Sequence, residues 1–163
     1  MSGAEGGAVR LDGAAATGRA GAALAMLLRP GDVVALEGEL GAGKTTFARG
    51  LLHALGFEGD VPSPSFPIVI PYAPPELRLP LWHVDLYRIE DPEEIEELGL
   101  DEARADSVLL IEWPERMGAW LWPDALRLAI GRIEGTDGGD ARRLTWTVPA
   151  AWEGRWPPQG FPQ

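Results

Sequence analysis

The sequence predicts an α/β fold with a parallel sheet at its core, because three segments have the pattern that such folds require. Residues 38–45 fit G-x-x-x-x-G-K-[ST] and lie between an apolar run at 33–36 and a helix-like segment at 46–55. Two more apolar runs, at 81–84 and 108–111, each end in a carboxylate. Ligands in open α/β sheets bind at the carboxyl ends of the strands, so these segments place polar groups where a ligand binds.

The first of these segments is typical of a phosphate-binding loop. Its glycines let backbone N–H groups wrap around a polyphosphate, and the helix that follows adds the positive end of its dipole. Lys44 is placed to reach the β- and γ-phosphates, and the Thr45 hydroxyl to ligate Mg²⁺. Lys44 is also the only lysine among 14 basic residues, at a position where a compact ammonium is useful. The predicted nucleotide-binding residues are Glu39, Leu40, Gly41, Ala42, Gly43, Lys44, Thr45 and Thr46.

The bulk composition is that of a soluble globular domain, with 163 residues of which 45 % are hydrophobic and 24 % charged. No apolar run approaches the roughly 20 residues of a membrane span, and the first residues lack the basic start of a secretory signal. The absence of cysteine excludes disulfides and thiolate chemistry and fits a cytoplasmic protein. A formal net charge of −11 argues against autonomous binding to RNA or DNA.

The two ends of the chain differ from its middle. Residues 1–8 are small and polar, and we expect them to be disordered. Residues 9–150 are predicted to form one domain, with an Ala-rich helix over 14–28. Thr17 lies near the start of that helix, where a capping or surface role is favoured over a nucleotide contact. Residues 151–163 are Pro-rich and are predicted to be a loose tail.

A Pro-rich segment follows the loop helix. Residues 61–67 contain three prolines, which exclude a helix and force an extended path. Such a segment is either a rigid connector or a switch loop whose Ser63 and Ser65 hydroxyls face the γ-phosphate or Mg²⁺. Residue chemistry alone does not decide between these roles. Residues 66–72 are predicted to continue as a strand.

Asp85 and Glu112 are the candidate acidic groups. Asp85 ends a short apolar strand, from which we expect it to act on Mg²⁺ or on the attacking water. His83 shares a side of that strand and is expected to be an ordinary hydrogen-bonded residue. Glu112 follows four apolar residues in the Walker B arrangement, which holds Mg²⁺ directly or through water. A carboxylate at a buried strand end needs a partner, which favours a metal-linked role for Glu112 over a turn-capping one, with Trp113 packed beside the site.

Residues 90–106 carry nine acidic side chains and one arginine. A helix is predicted to begin at Asp91, with Pro92 at its first position. This stretch is either a solvated helix or an acidic docking surface for a basic partner. The chain then ends in a predicted hairpin, with strands over 125–133 and 142–148.

Taken together, these segments closely resemble the bacterial TsaE family of tRNA threonylcarbamoyladenosine biosynthesis ATPases, formerly YjeE. The similarity extends over about residues 9–148, in the order and at about the spacing of the family, and the set of motifs is highly specific. Ser65 is a departure, because the family usually has threonine there. The matching segments are Leu40-Gly41-Ala42-Gly43-Lys44-Thr45-Thr46, Ser63-Pro64-Ser65-Phe66, His83-Val84-Asp85-Leu86-Tyr87-Arg88, Asp91-Pro92-Glu93-Glu94 and Ile111-Glu112-Trp113-Pro114-Glu115.

The resemblance implies a P-loop NTPase-type fold whose parallel core sheet is flanked by antiparallel strands and helices. It implies binding of ATP and Mg²⁺ with slow intrinsic hydrolysis, and action beside the TsaB–TsaD pair. In that pathway TsaD transfers a threonylcarbamoyl group to adenosine 37 of tRNAs that read ANN codons, and the TsaE-like subunit uses ATP turnover to reset the complex. By motif position, Lys44 holds the phosphates, Thr45 and Glu112 serve Mg²⁺, and Asp85 assists the metal or the water; tRNA is contacted only indirectly.

No arginine finger is evident in the sequence. Arg88 is expected at the surface, and Arg142 and Arg143 lie late in the chain, next to the predicted hairpin, as poor candidates for a lid. A supplied arginine contributes about 10³ to 10⁵ in rate, so slow hydrolysis that depends on a partner is expected. The alternatives are a small-molecule P-loop kinase and a nucleotide-dependent scaffold in which hydrolysis is incidental.

Overall fold

A computed structural model describes residues 5–64, 68–133, 140–159 and 161. These residues form a single seven-stranded sheet with helices on both of its faces. The strands are β1 (Glu5–Asp12), β2 (Val33–Glu37), β3 (Val69–Tyr72), β4 (Leu81–Asp85), β5 (Val108–Glu112), β6 (Leu126–Arg132) and β7 (Ala141–Val148). The helices are α1 (Ala14–Ala25), α2 (Lys44–Ala54), α3 (Glu93–Glu96) and α4 (Leu100–Arg104), with two 3-10 helices at Pro114–Trp120 and Ala150–Trp152.

The strand order β1-β7-β6-β2-β5-β4-β3 places four parallel strands in the middle of the sheet. β6, β2, β5 and β4 are parallel to one another, whereas β7 and β1 on one side and β3 on the other are antiparallel to their neighbours. Pro71 lies in β3, an edge strand, where the missing N–H costs no central ladder bond. The predicted α/β fold, with a parallel core flanked by antiparallel strands, is confirmed.

The apolar runs of the sequence are explained by burial on both faces of the sheet. All five residues of β5 are buried. Val108 and Leu110 pack into the cluster under α1 and α2, whereas Leu109 and Ile111 pack into the cluster under α3 and α4. Successive residues of the strand therefore pack into two different clusters, which is why the sequence of the strand is continuously apolar.

Helices α1 and α2 cross with their backbones in close contact. A Cβ built on Gly21 would overlap the carbonyl oxygen of Phe47, and one built on Gly50 would overlap that of Gly18. Only glycine allows this approach at either position. The crossing holds α2, and the loop that precedes it, against α1.

Both ends of the chain are more ordered than expected. Residues 5–8 belong to the predicted disordered segment 1–8, yet they form the first half of β1, whose backbone pairs with β7 from Glu5↔Val148 onward. Pairing with a neighbouring strand satisfies backbone groups that composition alone leaves to solvent. Residues 1–4 lie outside the described part of the chain.

The predicted loose tail is wrong for the described residues between 151 and 161. Trp152 and Phe161 are buried, and the Trp156 ring lies 5.3 Å from that of Trp146. The Arg155 guanidinium donates to both carboxylate oxygens of Asp32 at 2.8 and 2.9 Å. These contacts hold the segment on the domain. The ionic contact joins residues 123 positions apart, and the aromatic contact joins residues 10 positions apart.

The acidic stretch forms two short helices instead of one. Gly99, with φ of +71°, separates α3 from α4. The helix begins at Glu93, one residue later than predicted, with Pro92 as its N-cap. Asp91 accepts a hydrogen bond from the Glu93 N–H at 3.0 Å, and Glu94 accepts one from the Asp91 N–H at 3.2 Å. All nine acidic side chains are exposed.

The terminal hairpin is confirmed as β6 and β7, while residues 134–139, between the two strands, lie outside the described residues. The predicted strand over 66–72 is shorter, since β3 begins at Val69. Within the described ranges, no helix is both long and apolar enough to cross a membrane.

Candidate functional site

A cavity of about 310 Å³ opens at the carboxyl ends of β4 and β5, beside the loop that joins β2 to α2. Asp85, Glu112 and Ser63 line it. Six of the eight predicted nucleotide-binding residues also line it, namely Leu40, Gly41, Gly43, Lys44, Thr45 and Thr46. The other two, Glu39 and Ala42, line an adjoining cavity of about 570 Å³. Ser65, the second predicted switch residue, lies outside the described residues.

The loop leads directly into a helix N-terminus. Gly43 is the N-cap of α2 in the left-handed region, with φ of +117°, a conformation that favours glycine. Its carbonyl accepts the first helical bond, from the Phe47 N–H at 3.0 Å. The N–H groups at 44–46 belong to the first turn and have no acceptor within the helix, so they are suited to bind an anion.

Lys44 is buried at the base of the cavity. Its Nζ donates to the Gly38 carbonyl oxygen at 2.5 Å and lies 3.9 Å from the centroid of the Trp113 ring. Burial lowers the pKa of Lys44 below its usual value, while the charges of Glu112 and Asp85 oppose that shift. The ammonium is therefore held by a loop carbonyl and an aromatic ring, which are partners that a phosphate could replace.

Asp85 and Glu112 lie side by side, because β4 and β5 are parallel and pair Asp85 with Glu112. Both are buried. Burial raises the pKa of Asp85; the charge of Glu112 adds to the rise, while the bond from the Tyr87 N–H to Asp85 Oδ1, at 2.9 Å, opposes it. Two adjacent buried carboxylates are unfavourable without a cation, which makes this strand end a place for positive charge.

His83 holds the second of these carboxylates. Its Nε2 lies 2.6 Å from Glu112 Oε2, and both side chains are almost fully buried. The expectation of a hydrogen-bonded strand residue is thus met, with Glu112 as the partner. Nδ1 of His83 has no hydrogen-bond partner among the described residues.

Trp113 packs between the charged groups and the surface. Its φ of +60° is uncommon for a residue other than glycine. The ring contacts Lys44 and lies 4.8 Å from the Tyr87 ring, and it borders both cavities. The predicted position of Trp113 beside the site agrees with this geometry.

The chain that carries this loop and these strand-end acids matches the model of a known family. The model of the family described as threonylcarbamoyl adenosine biosynthesis protein TsaE matches residues 11–143. The chain belongs to the TsaE family. The resemblance that the motifs indicated is therefore confirmed.

Relatives named tRNA threonylcarbamoyladenosine biosynthesis protein TsaE include one from Streptomyces coelicolor and one from Bacillus subtilis. The first is 48 % identical over 130 residues, covering 78 % of this chain and 86 % of the relative. The second is 44 % identical over 125 residues, covering 76 % and 74 %. The crystal structure of Bacillus subtilis YdiB is similar in fold, with a TM-score of 0.73 and 34 % identity over 89 % of this chain and 86 % of that one.

The side chains of this TsaE-family site fit Mg²⁺ by their chemistry. Thr45, Asp85 and Glu112 present oxygen atoms to one cavity. Over the described ranges, no three His, Cys, Asp or Glu side chains are close enough to hold a metal ion by themselves. Mg²⁺ fits such a site because it takes one or two carboxylates, keeps several waters and completes its shell with substrate phosphates.

The sequence prediction missed one residue that lines the cavity of the TsaE-family site and one that packs against its loop. Arg142, expected only as a poor lid candidate, lines the cavity, and its Nε donates to the Ala42 carbonyl oxygen at 2.8 Å. Thr17, expected to cap or lie at the surface, is buried; its hydroxyl donates to the Gly13 carbonyl at 3.2 Å and its methyl group faces Gly43. No sequence signal marks either residue, since both are brought to the loop by sheet and helix packing. Arg88 is exposed, as expected.

Proposed function

We propose that this protein is a Mg²⁺-dependent ATPase subunit of the machinery that forms threonylcarbamoyladenosine at position 37 of tRNA. It binds the TsaB–TsaD complex and hydrolyses ATP to support the turnover of that complex. The observation that carries the proposal is the meeting of Lys44, Asp85 and Glu112 at one cavity beside the phosphate-binding loop.

Phosphate binding begins with the loop and Lys44. The N–H groups of the first turn of α2 surround the β- and γ-phosphates, and the Lys44 ammonium exchanges the Gly38 carbonyl for phosphate oxygens. Thr45 and Glu112 would hold Mg²⁺ directly or through water, and Asp85 would assist the metal or the attacking water. The ion, when bound, neutralises charge on the phosphate oxygens.

The two carboxylates have different environments and therefore different proposed roles. Asp85, whose pKa is raised by burial, is the better acceptor for the proton of the attacking water. Glu112, fixed by His83 through Oε2, is the better-ordered group for holding the metal or its water. The neighbouring strand ends would thus divide proton transfer and metal binding between them.

Dependence on a partner is the second part of the proposal. The isolated site contains a phosphate cradle and strand-end acids, but its cavity is open to solvent. Exclusion of water strengthens electrostatic stabilisation, so closure of the cavity by a bound protein would accelerate hydrolysis. The net charge of −11 supports contact with tRNA only through partners.

The test is steady-state release of phosphate and ADP by the protein alone and with its cognate TsaB–TsaD complex, with Lys44→Ala as control. Strong stimulation by the complex, lost in the variant, is the expected result. Equal rates with and without the complex would refute partner activation. Appearance of ADP without free phosphate would indicate a kinase, and full support of tRNA modification by Glu112→Gln, with ATP binding intact, would indicate a scaffold.

A further inference from the structure

Two arginines of the β6–β7 hairpin donate hydrogen bonds to carbonyl groups of the phosphate-binding loop. Arg142 Nε contacts the Ala42 oxygen at 2.8 Å, and an Arg132 terminal nitrogen contacts the Gly41 oxygen at 3.3 Å. Arg132 and Arg142 are also directly opposite each other in the antiparallel pair. Like charges in that position repel, so this pairing has a cost that an anionic ligand at the loop would offset.

Arg142 differs from Arg132 in its position at the cavity. Arg132 is exposed and borders the adjoining cavity, whereas Arg142 is half-buried and lines the cavity that contains Asp85 and Glu112. Among the described residues that line this cavity, Lys44 and Arg142 are the basic ones. Arg142 therefore brings a second permanent positive charge to the place where a triphosphate would bind.

The hydrogen bond to Ala42 also restricts the loop backbone. In a trans peptide the C=O of one residue and the N–H of the next lie on opposite sides. Anchoring the Ala42 oxygen on β7 consequently fixes the direction of the Gly43 N–H, which belongs to the loop that would surround the phosphates. A Cβ built on Gly43 would lie 3.8 Å from Arg142 Nε, so the guanidinium packs directly on this turn.

We propose that Arg142 is a positioning residue of the nucleotide site, which fixes the phosphate-binding loop through Ala42 and adds its charge to that of Lys44. The proposal rests on the nucleotide binding put forward under Proposed function and extends it to the antiparallel side of the sheet. Because the contact of Arg142 with the loop is made within this chain, we expect the effect to act on nucleotide affinity and to be independent of TsaB–TsaD.

The experiment compares Arg142→Gln, Arg142→Lys and Arg143→Gln. Arg143 is the matched control, because it is the next residue of β7, points to the other face and is exposed. The dissociation constants of ATP and ADP with Mg²⁺ are measured by calorimetry on the isolated protein, together with the melting temperature. Arg142→Gln is expected to weaken ATP binding by roughly 10- to 100-fold, Arg142→Lys to recover part of this loss, and Arg143→Gln to bind as the wild type does.

Hydrolysis in the presence of TsaB–TsaD separates positioning from transition-state catalysis. A raised KM with an unchanged kcat is expected for Arg142→Gln, because loop ordering affects ground state and transition state alike. A fall in kcat alone, or ATP binding equal to that of Arg143→Gln, would overturn the proposal. A lower melting temperature with unchanged affinity would show a structural role only and would also overturn it. If the Arg142 effect is present but TsaB–TsaD gives no stimulation, the proposed partner is wrong and the role of Arg142 stands.

Discussion

The two sides of the nucleotide cavity carry opposite charges and are built by different kinds of strand pairing. On one side, the parallel strands β4 and β5 end together and present Asp85 and Glu112. On the other side, the antiparallel strand β7, two positions from β2 in the sheet, presents Arg142 from within its length. Parallel strands bring their ends to one edge automatically, whereas the arginine depends on the register of a hairpin. The acidic side is suited to a metal ion and the basic side to phosphate.

Two charged groups of the cavity, Asp85 and Lys44, are unfavourable for the stability of the folded protein. Burial and the neighbouring carboxylate raise the pKa of Asp85, and burial lowers the pKa of Lys44. Both shifts mean that the charged forms present at neutral pH cost folding free energy. Such strain is typical of sites whose charges are balanced only when the ligand is bound.

The largest effect is expected for Lys44→Met, which removes the one charge that faces both sides. Hydrolysis should fall by about 10²- to 10³-fold, since a buried donor to the transferred phosphate is lost. The melting temperature should stay the same or rise, because the lowered pKa of Lys44 shows that burying the ammonium has a cost. Activity assays and thermal denaturation check both parts. A clear drop in melting temperature would mean that Lys44 is chiefly structural.

Glu112→Gln tests the acidic side. We expect kcat to fall by about 10²-fold or more, because a charged group of the proposed metal site is replaced by a neutral amide, while ATP affinity is retained. The requirement for Mg²⁺ should rise, as measured by hydrolysis across a Mg²⁺ titration, and EDTA should abolish the wild-type activity. Glu97→Gln, at an exposed glutamate that lines neither cavity, is the control. Equal Mg²⁺ dependence of the two variants would remove Glu112 from the metal site.

Arg155→Gln provides the contrast of an arginine outside the cavity. It would leave Asp32 without its partner in an ion pair whose side chains are only 13 % and 12 % exposed. Loss of such a partner costs about 2–4 kcal/mol, equivalent to roughly 5–15 °C in melting temperature for a chain of this size. Nucleotide affinity should not change. Calorimetry with ATP and a thermal melt would show whether Arg142 affects nucleotide affinity while Arg155 affects only stability.

The smallest effect is expected for Asp85→Asn on stability. Because the folded-state pKa is raised, the wild-type carboxyl costs nothing while protonated at low pH, and becomes unfavourable as the pH rises from the unfolded to the folded value. The variant should therefore be more stable than the wild type at pH 7. Each kcal/mol gained in the free energy of unfolding should raise the melting temperature by about 2–4 °C. The difference should shrink as the pH falls.

Thermal melts of wild type, Asp85→Asn and the exposed control Asp60→Asn at pH 7 and pH 4.5 test this sign. A difference in melting temperature that increases as the pH falls would mean that the folded protein favours ionised Asp85. The control should follow the wild type at both pH values.

Much of the fold and of the acidic side could be predicted from local patterns. Residues 38–46, Asp85 and Glu112 each follow an apolar strand directly, so a few neighbouring positions contain the whole signal. The helix after Asp91 was equally local, and it begins at Glu93, one residue later than predicted. The break at Gly99 was not predicted, because the acidic composition hid the short separation between two apolar anchors, Ile95 and Leu100.

By itself the sequence determined the phosphate-binding loop, the order of strands and helices along the chain, and the position of acidic residues at strand ends. These features depend on contacts within one turn or one strand. Only the tertiary structure decided that Arg142 meets Ala42, that Thr17 packs against Gly43 and that Arg155 holds the final segment on Asp32. Those contacts join residues 26 to 123 positions apart. The first contact follows from strand order and register, and the other two from the packing of a helix and of the final segment on the domain, none of which a neighbouring residue encodes.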